Sequence, residues 1–452
     1  MLALALFISV TLAAEAPRSP HADALADQRA GRGLAVARSS RPPPPPPPTR
    51  GPSSTVYGYW PYWGDDLDTI AWDGLSHIAI FGVELESDGS LSGTHHWTDV
   101  AAQAVELGER YEVEVHLCLI GFDDAVHADV FPSATRRARA ISELVDLVDA
   151  YGAHGVNVDI EGLDNDLKAH FTTFIQELRA RTEALYIATP AIDWSGAYDY
   201  DELAAASDGL FIMAYGYHHS SGNPGPNSPL TGGDPWSAYA IDYSVQDYRS
   251  SDAPDDKIIV GLPLYGRNWP TTDTSVPGVA TADGTSVTWT SAVQQGESYG
   301  RRWDSVTSTP YAFPDATHQL WYDDHQSLEA KIGWSMDQGL QGVGFWALTY
   351  DDGDPDLWSM VDELSNPQDA PDDSDAPDDS DAPNDSDTSD DSGTDRDPPG
   401  LRGANGLGCG CSSLGGSAGL LPALIGLLCP AWRRRRRSGS PSPHSPWHTV
   451  AP

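Results

Sequence analysis

Cysteine is nearly missing from this chain: there are four in 452 residues, and only Cys118 falls between residues 55 and 365. A small fold stapled by disulfides is thereby excluded. Positive charge is almost as scarce. Lys and Arg total 26 against 66 Asp and Glu, a net charge of −40 at pH 7, and such a surface repels the phosphates of nucleic acid. The imbalance is local as well as global. Residues 55–365 hold 13 basic and 50 acidic side chains and 13 of the 15 Trp. One large, acidic, aromatic-rich globular domain therefore lies between two arms of non-globular composition.

The arms speak to destination. Residues 1–16, ending Ala14-Glu15-Ala16, read as the apolar part of a signal peptide with a small-x-small cleavage site, though without the usual basic leader. Residues 17–54 are rich in Ser, Arg and Pro and include Pro42–Pro48, which predicts a disordered, extended spacer. Residues 366–400 repeat Asp, Ala, Pro and Ser with almost nothing apolar, which predicts a disordered linker; no Glu closes a calcium loop there. Residues 405–437 place Cys409 and Cys411 before an apolar run, Leu414–Ala431, and then Arg433–Arg437. That order resembles the C-terminal sorting tag of myxobacterial surface proteins. It implies a membrane segment, barely long enough to span, with processing near a cysteine and retention at the cell envelope or surface.

Between the arms, short β-branched or aromatic runs alternate with helical patterns. The strand candidates are Val56–Trp60, His77–Val83, Val113–Ile120, Gly155–Glu161, Leu185–Pro190, Gly209–Tyr215, Lys257–Tyr265 and Gly342–Leu348. Thr135–Tyr151, Leu167–Thr182 and Gln326–Gln338 read as helices between them. Eight such units predict an α/β fold, a closed (β/α)8 TIM barrel over 55–365. The interval 269–325 is too long for one crossover. It predicts a small α+β insertion between strands 7 and 8, with a short helix near Ser291–Tyr299.

The fourth run carries the chemistry. Gly155-Val156-Asn157-Val158-Asp159-Ile160-Glu161 alternates aliphatic with polar residues, and on a strand residues two apart share a face. Asn157, Asp159 and Glu161 would point together toward the barrel axis, with Glu161 at the C-terminal rim where barrel enzymes keep their active sites. Two close carboxyls in a partly dry cleft resist ionising together, so Glu161 would stay protonated and serve as a general acid. The same row would also suit a purely structural carboxylate pair.

This row resembles the Asp-x-x-Asp-x-Asp-x-Glu signature of family 18 glycoside hydrolases, the chitinase family. Val56–Trp60, Met213-Ala214-Tyr215, Gly261–Arg267 and Gly342–Trp346 are similar to that family's first, sixth, seventh and eighth strands, in order. Leu320–Asp324 with Ser327 and Lys331, and Asn157 in place of an Asp, resemble the spore-cortex-lytic N-acetylglucosaminidase type. The resemblance implies retaining, substrate-assisted hydrolysis of β-1,4 linkages in an N-acetylglucosamine-containing polysaccharide, chitin or peptidoglycan, without metal or cofactor, by a monomer. It implies that Glu161 acts as acid and then base, that Asp159 orients the 2-acetamido group, and that Tyr215 hydrogen-bonds its oxygen. Trp346 would floor the distorted sugar with Tyr59 opposite, and Asn157, Trp60, Met213, Tyr265 and Arg267 would line the substrate site.

Independently of the resemblance, Tyr59, Trp60, Trp63, Trp194, Tyr217, Trp269 and Trp346 fall at or past predicted strand ends, where flat rings suit stacking on pyranose faces. Trp72, Trp334 and Trp358 read as packing residues. Departures from the family pattern are His154 and Asn157 for two Asp residues and Gly216 for the Asp that commonly follows the motif Tyr. Asn157 is expected to hydrogen-bond Asp159. His218-His219 face opposite ways and make no metal pair, Cys118 reads as inert core, and Asp351-Asp352-Gly353-Asp354 as a solvated turn. A surface lectin on the same barrel, binding amino sugars without cutting them, is the alternative function; the Asp159–Glu161 pair favours the enzyme.

Overall fold

The computed structural model describes residues 19–34 and 52–366. Expectations for the signal segment, the proline run and the linker from residue 367 onward lie outside the described residues, as does the C-terminal tag. Eight parallel strands close on themselves. They are β1 (Thr55–Pro61), β2 (His77–Leu85), β3 (Glu114–Gly121), β4 (Gly155–Ile160), β5 (Ala184–Pro190), β6 (Gly209–Met213), β7 (Ile258–Pro263) and β8 (Gly342–Trp346). Each pairs with its sequence neighbour, and β8 returns to β1 through Val56↔Val343 and Gly58↔Phe345. The (β/α)8 barrel read from the alternation of strand and helix patterns is the observed fold.

Alternation along the strands builds two faces. Tyr57 and Tyr59 of β1, His116 and Cys118 of β3, and Asn157 and Asp159 of β4 fill the barrel interior in stacked layers, all buried. The lower layer is unusually polar: Tyr57 Oη lies 2.9 Å from His116 Nδ1, and Tyr186 Oη 3.0 Å from His77 Nε2. His154, at the signature's first position, accepts the Val115 N–H at 3.0 Å below this layer. Val156, Val158 and Ile160 take the opposite face of β4 and are completely buried.

The expected insertion is present but begins earlier than residue 269. Lys257–Tyr265 is not one strand: β7 stops at Pro263, and Tyr265–Pro270 starts a five-stranded antiparallel sheet with Thr285–Thr288, Arg302–Asp304, Thr309–Ala312 and His318–Trp321. Its helix is Trp289–Tyr299. The sheet leads into the helix His325–Asp337 through a capping box, in which Asp324 Oδ1 accepts the Ser327 N–H at 3.1 Å and Ser327 Oγ accepts the Asp324 N–H at 2.8 Å. Beside it Lys331 pairs with Asp323, both fully buried, and Ser327 Oγ donates to the same Asp323 oxygen at 2.7 Å. The Leu320–Lys331 motif is thus a structural joint between insertion and barrel.

Two further readings change. Asp351–Asp354 is not a solvated turn: Asp351 is buried and accepts the Trp358 indole N–H at 2.6 Å, while Asp354 caps the helix Pro355–Ser365. The larger change concerns 17–54. Within that spacer Pro20–Arg29 forms a ten-residue helix, α1, started by the Ser19 side chain accepting the Ala22 N–H and by proline in the first turn.

Lys331→Met leaves the Asp323 carboxylate buried without its cation and should lower unfolding free energy by about 3–5 kcal/mol. Adding Asp323→Leu should recover most of that loss. Urea denaturation of both variants checks the pair.

Candidate active site

The carboxylates of β4 and the residue just past it stand at the top of the barrel interior. Asp159 is completely buried and Glu161 is 4% exposed. The β4 end is held in place by Glu161 N–H donating to Gly121 O at 2.9 Å and by Tyr198 Oη donating to Ile160 O at 2.6 Å. Asp159 Oδ1 and both carboxylate oxygens of Glu161 are buried without a hydrogen-bond partner. Burial first, and the neighbouring Asp159 charge second, push the Glu161 carboxyl well above the usual carboxylate range. A carboxyl so placed holds its proton to higher pH than a free one, which is the direction a general acid needs.

Around this pair the site residues divide. Tyr215, two positions past β6, brings its hydroxyl into the site, and its ring meets Tyr265 edge-on at 6.2 Å. Trp346 ends β8 as a buried wall, with Phe81 edge-on at 4.9 Å and Tyr59 at 5.8 Å. Tyr265 and Arg267 line the mouth, with Trp63, whose indole donates to Tyr350 Oη at 2.9 Å. Asn157 sits one layer below and does not bond Asp159 as expected. It donates to Tyr59 Oη at 2.9 Å and accepts from Cys118 Sγ at 3.2 Å. Cys118 is therefore not mere filling: it and Tyr59 fix the amide beneath the carboxylates.

Several aromatics lie elsewhere. Trp60 faces away from the axis, buried, with its N–H on Asp65 O at 3.0 Å. Trp269 is fully buried in the insertion with its N–H on Ser220 O, and Tyr217 is tied to Ser244 at 2.7 Å. Trp194 is 75% exposed on the loop after β5, beside Tyr239. Met213 closes β6, buried, and its carbonyl accepts the Tyr215 N–H at 2.8 Å; it supports the tyrosine from below.

The residue missed from the sequence is His21 of α1, which enters the barrel mouth and is completely buried. Its Nδ1 lies 2.8 Å from Asp159 Oδ2 and 3.5 Å from Glu161 Oε1, and its Nε2 lies 2.6 Å from Tyr215 Oη. Its ring is 3.7 Å from that of Trp346, centroid to centroid. Ser19 followed by Pro20 marks a helix start in the sequence, but no local signal says where that helix docks. His21, Asp159 and Glu161 also bring possible metal-ligating atoms within 4.8 Å of one another; a histidine N–H donating to Asp159 accounts for the approach. Beside α1 a cavity of about 850 Å³ remains, lined by Asp23, Asp27 and Arg32 on one side and Tyr265, Arg267 and Trp346 on the other.

An interior acid pair at the C-terminal rim of a (β/α)8 barrel, walled by a tryptophan and a tyrosine hydroxyl, is an arrangement fit for acid-catalysed cleavage of a glycosidic bond. The comparisons sharpen the class: residues 55–351 match the model of the glycosyl hydrolases family 18, and the chain belongs to that family. YdhD of Bacillus subtilis (strain 168), which carries the name of a sporulation-specific glycosylase, is 30% identical over 292 residues, 61% of this chain and 66% of its own. The cortical fragment-lytic enzyme of the same organism is 24% identical over 262 residues, 54% of this chain and 57% of its own. The chain thus spans about three-fifths of these relatives. Among solved structures, an Ostrinia furnacalis Group IV chitinase in complex with allosamidin shares the fold. Its TM-score is 0.63 at 21% identity, covering 69% of this chain and 98% of that one.

Because Glu161 binds its proton more tightly folded than unfolded, ionising it costs the folded state, and stability falls as pH rises above about 4.5. Glu161→Gln removes that loss. Its melting temperature should exceed the parent's by a margin that widens from pH 4.5 upward, measured by thermal scans across pH.

Proposed function

We propose that this family 18 glycosidase cuts β-1,4 bonds next to N-acetylglucosamine in chitin or peptidoglycan, with retention of configuration. The observation that carries the reading is the joint placement of Asp159, the Tyr215 hydroxyl and a buried Glu161, whose carboxyl is pushed well above the usual range, around one position against Trp346. Glu161 gives its proton to the glycosidic oxygen as that bond to the anomeric carbon breaks. The substrate's own acetamido oxygen bonds the anomeric carbon from the other face, the substrate-assisted route that family 18 enzymes take. Asp159 takes a hydrogen bond from the acetamido N–H and offsets the positive charge of the resulting ring, and Tyr215 donates to the acetamido oxygen. Glu161, now ionised, takes a proton from water, whose oxygen attacks the anomeric carbon and reopens the ring.

Relatives named for cortical fragment lysis and for chitin cleavage support the amino-sugar polymer as substrate class. The apolar segment at 1–16 and the Cys, apolar, Arg order of 405–437 support export and retention at the cell envelope; cell fractionation with and without the chain from Cys409 onward tests this.

Long incubation with chitin oligosaccharides and with purified peptidoglycan, followed by mass spectrometry, should yield fragments bearing a new reducing N-acetylglucosamine, with the β anomer appearing first by NMR. Glu161→Gln should lower the rate by at least about 10²-fold. Equal hydrolysis by that variant removes Glu161 from its role, and no cleavage of either polymer, even after His21→Ala, overturns the reading.

A further inference from the structure

We propose that α1 is a built-in inhibitor: the helix Pro20–Arg29 occupies the sugar position of the active site through His21, and the chain is latent while it sits there. The inference rests on the reading of that site given above. Four observations carry it.

His21 reproduces the polar face of an acetamido group. A neutral imidazole with its proton on Nδ1 donates from that nitrogen and accepts at Nε2. Asp159 Oδ2 faces Nδ1 at 2.8 Å and the Tyr215 hydroxyl faces Nε2 at 2.6 Å. An acetamide has the same pair, an N–H donor and a carbonyl acceptor, for the same two side chains. The flat ring lies over Trp346 at 3.7 Å with an interplanar angle of 31°, on the face a pyranose would use. The two ligands compete atom for atom.

Gly216 makes room for the helix. Its φ is +77°, a backbone region that favours glycine, and a Cβ there would lie 2.6 Å from Pro20 Cγ. The family's common Asp after the motif tyrosine would collide with α1. The departure that most weakened the match to the family signature is the one that admits the plug.

The helix is anchored beyond His21. Leu25 is buried at 3% exposure. Asp23 Oδ2 accepts from Ser220 Oγ at 2.9 Å and faces Arg267 Nη1 at 3.9 Å, and Arg29 pairs with Glu84. These contacts reach both the insertion and the β2 side of the mouth, so the helix bridges the opening.

The plug also covers the catalytic acid: with α1 in place Glu161 is 4% exposed and its Oε1 stands 3.5 Å from His21 Nδ1. Being on the same chain, α1 meets the site in an intramolecular step, which raises its occupancy above that of the same helix added free.

The test uses the full chain with His21→Ala, and separately with Leu25→Asp, which loosens the helix without touching the catalytic groups. Each is measured for hydrolysis of a fluorogenic chito-oligosaccharide, and, with Glu161→Gln added, for binding of chitotetraose by calorimetry. Release of the plug should raise kcat/KM and affinity at least tenfold in both variants, and a synthetic peptide of residues 19–34 should inhibit the Leu25→Asp chain while its His21→Ala form does not. Hydrolysis and binding equal to the parent's in both variants overturn the inhibitor and leave the hydrolase standing. A gain in binding with no hydrolysis upholds the inhibitor and overturns the hydrolase. No binding and no turnover by any form overturns both.

Discussion

Two carboxylic acids share a space from which water is shut out, and most of what matters in this molecule follows from that crowding. Asp159 and Glu161 are neighbours on one face of β4 and its extension, so the strand's own geometry brings them together. Burying them costs the fold stability, because each carboxyl loses water that the interior only partly replaces. A closed barrel can bear the cost. Its backbone hydrogen bonds are complete around the ring, and the interior below the pair is itself a polar lattice of Tyr57, His116, Asn157, Tyr59 and Cys118.

The wall residues have meaning only relative to that pair. Trp346 closes one side, Tyr215 offers a hydroxyl from the next, and Tyr265 and Arg267 carry the mouth outward onto the insertion. The insertion in turn is joined to the barrel by the buried Asp323–Lys331 contact. α1 satisfies this same set of groups with an imidazole, so one side chain meets the acid pair, the tyrosine hydroxyl and the tryptophan face at once.

How far the residues alone disclosed this varies with the range of the physics involved. The row Asn157, Asp159, Glu161 was legible because a two-residue period is a local property, and the strand ends fell within a residue or two for the same reason. Lys257–Tyr265 was read as one strand because Pro263 and Leu264 do not announce a change of sheet. Trp60 and Trp269 were placed at the cleft from their position near strand ends, yet each is turned away by one step of alternation or by membership of the second sheet. Asn157 was expected beside Asp159, but the stagger of adjacent strands sets it against Tyr59 and Cys118. Tyr57↔Gly344 and Cys118↔Asn157 registers are decided by closure.

Composition and periodicity by themselves determined the alternation of strands and helices, the acidic surface and the inward-facing acid pair, since each depends on neighbours within a few positions. Only the tertiary structure decided that His21 meets Asp159 and Tyr215, 138 and 194 residues away. That meeting depends on where a barrel rim, an insertion and a glycine's missing side chain leave an opening, and such complementarity between distant surfaces leaves no periodic trace along a chain.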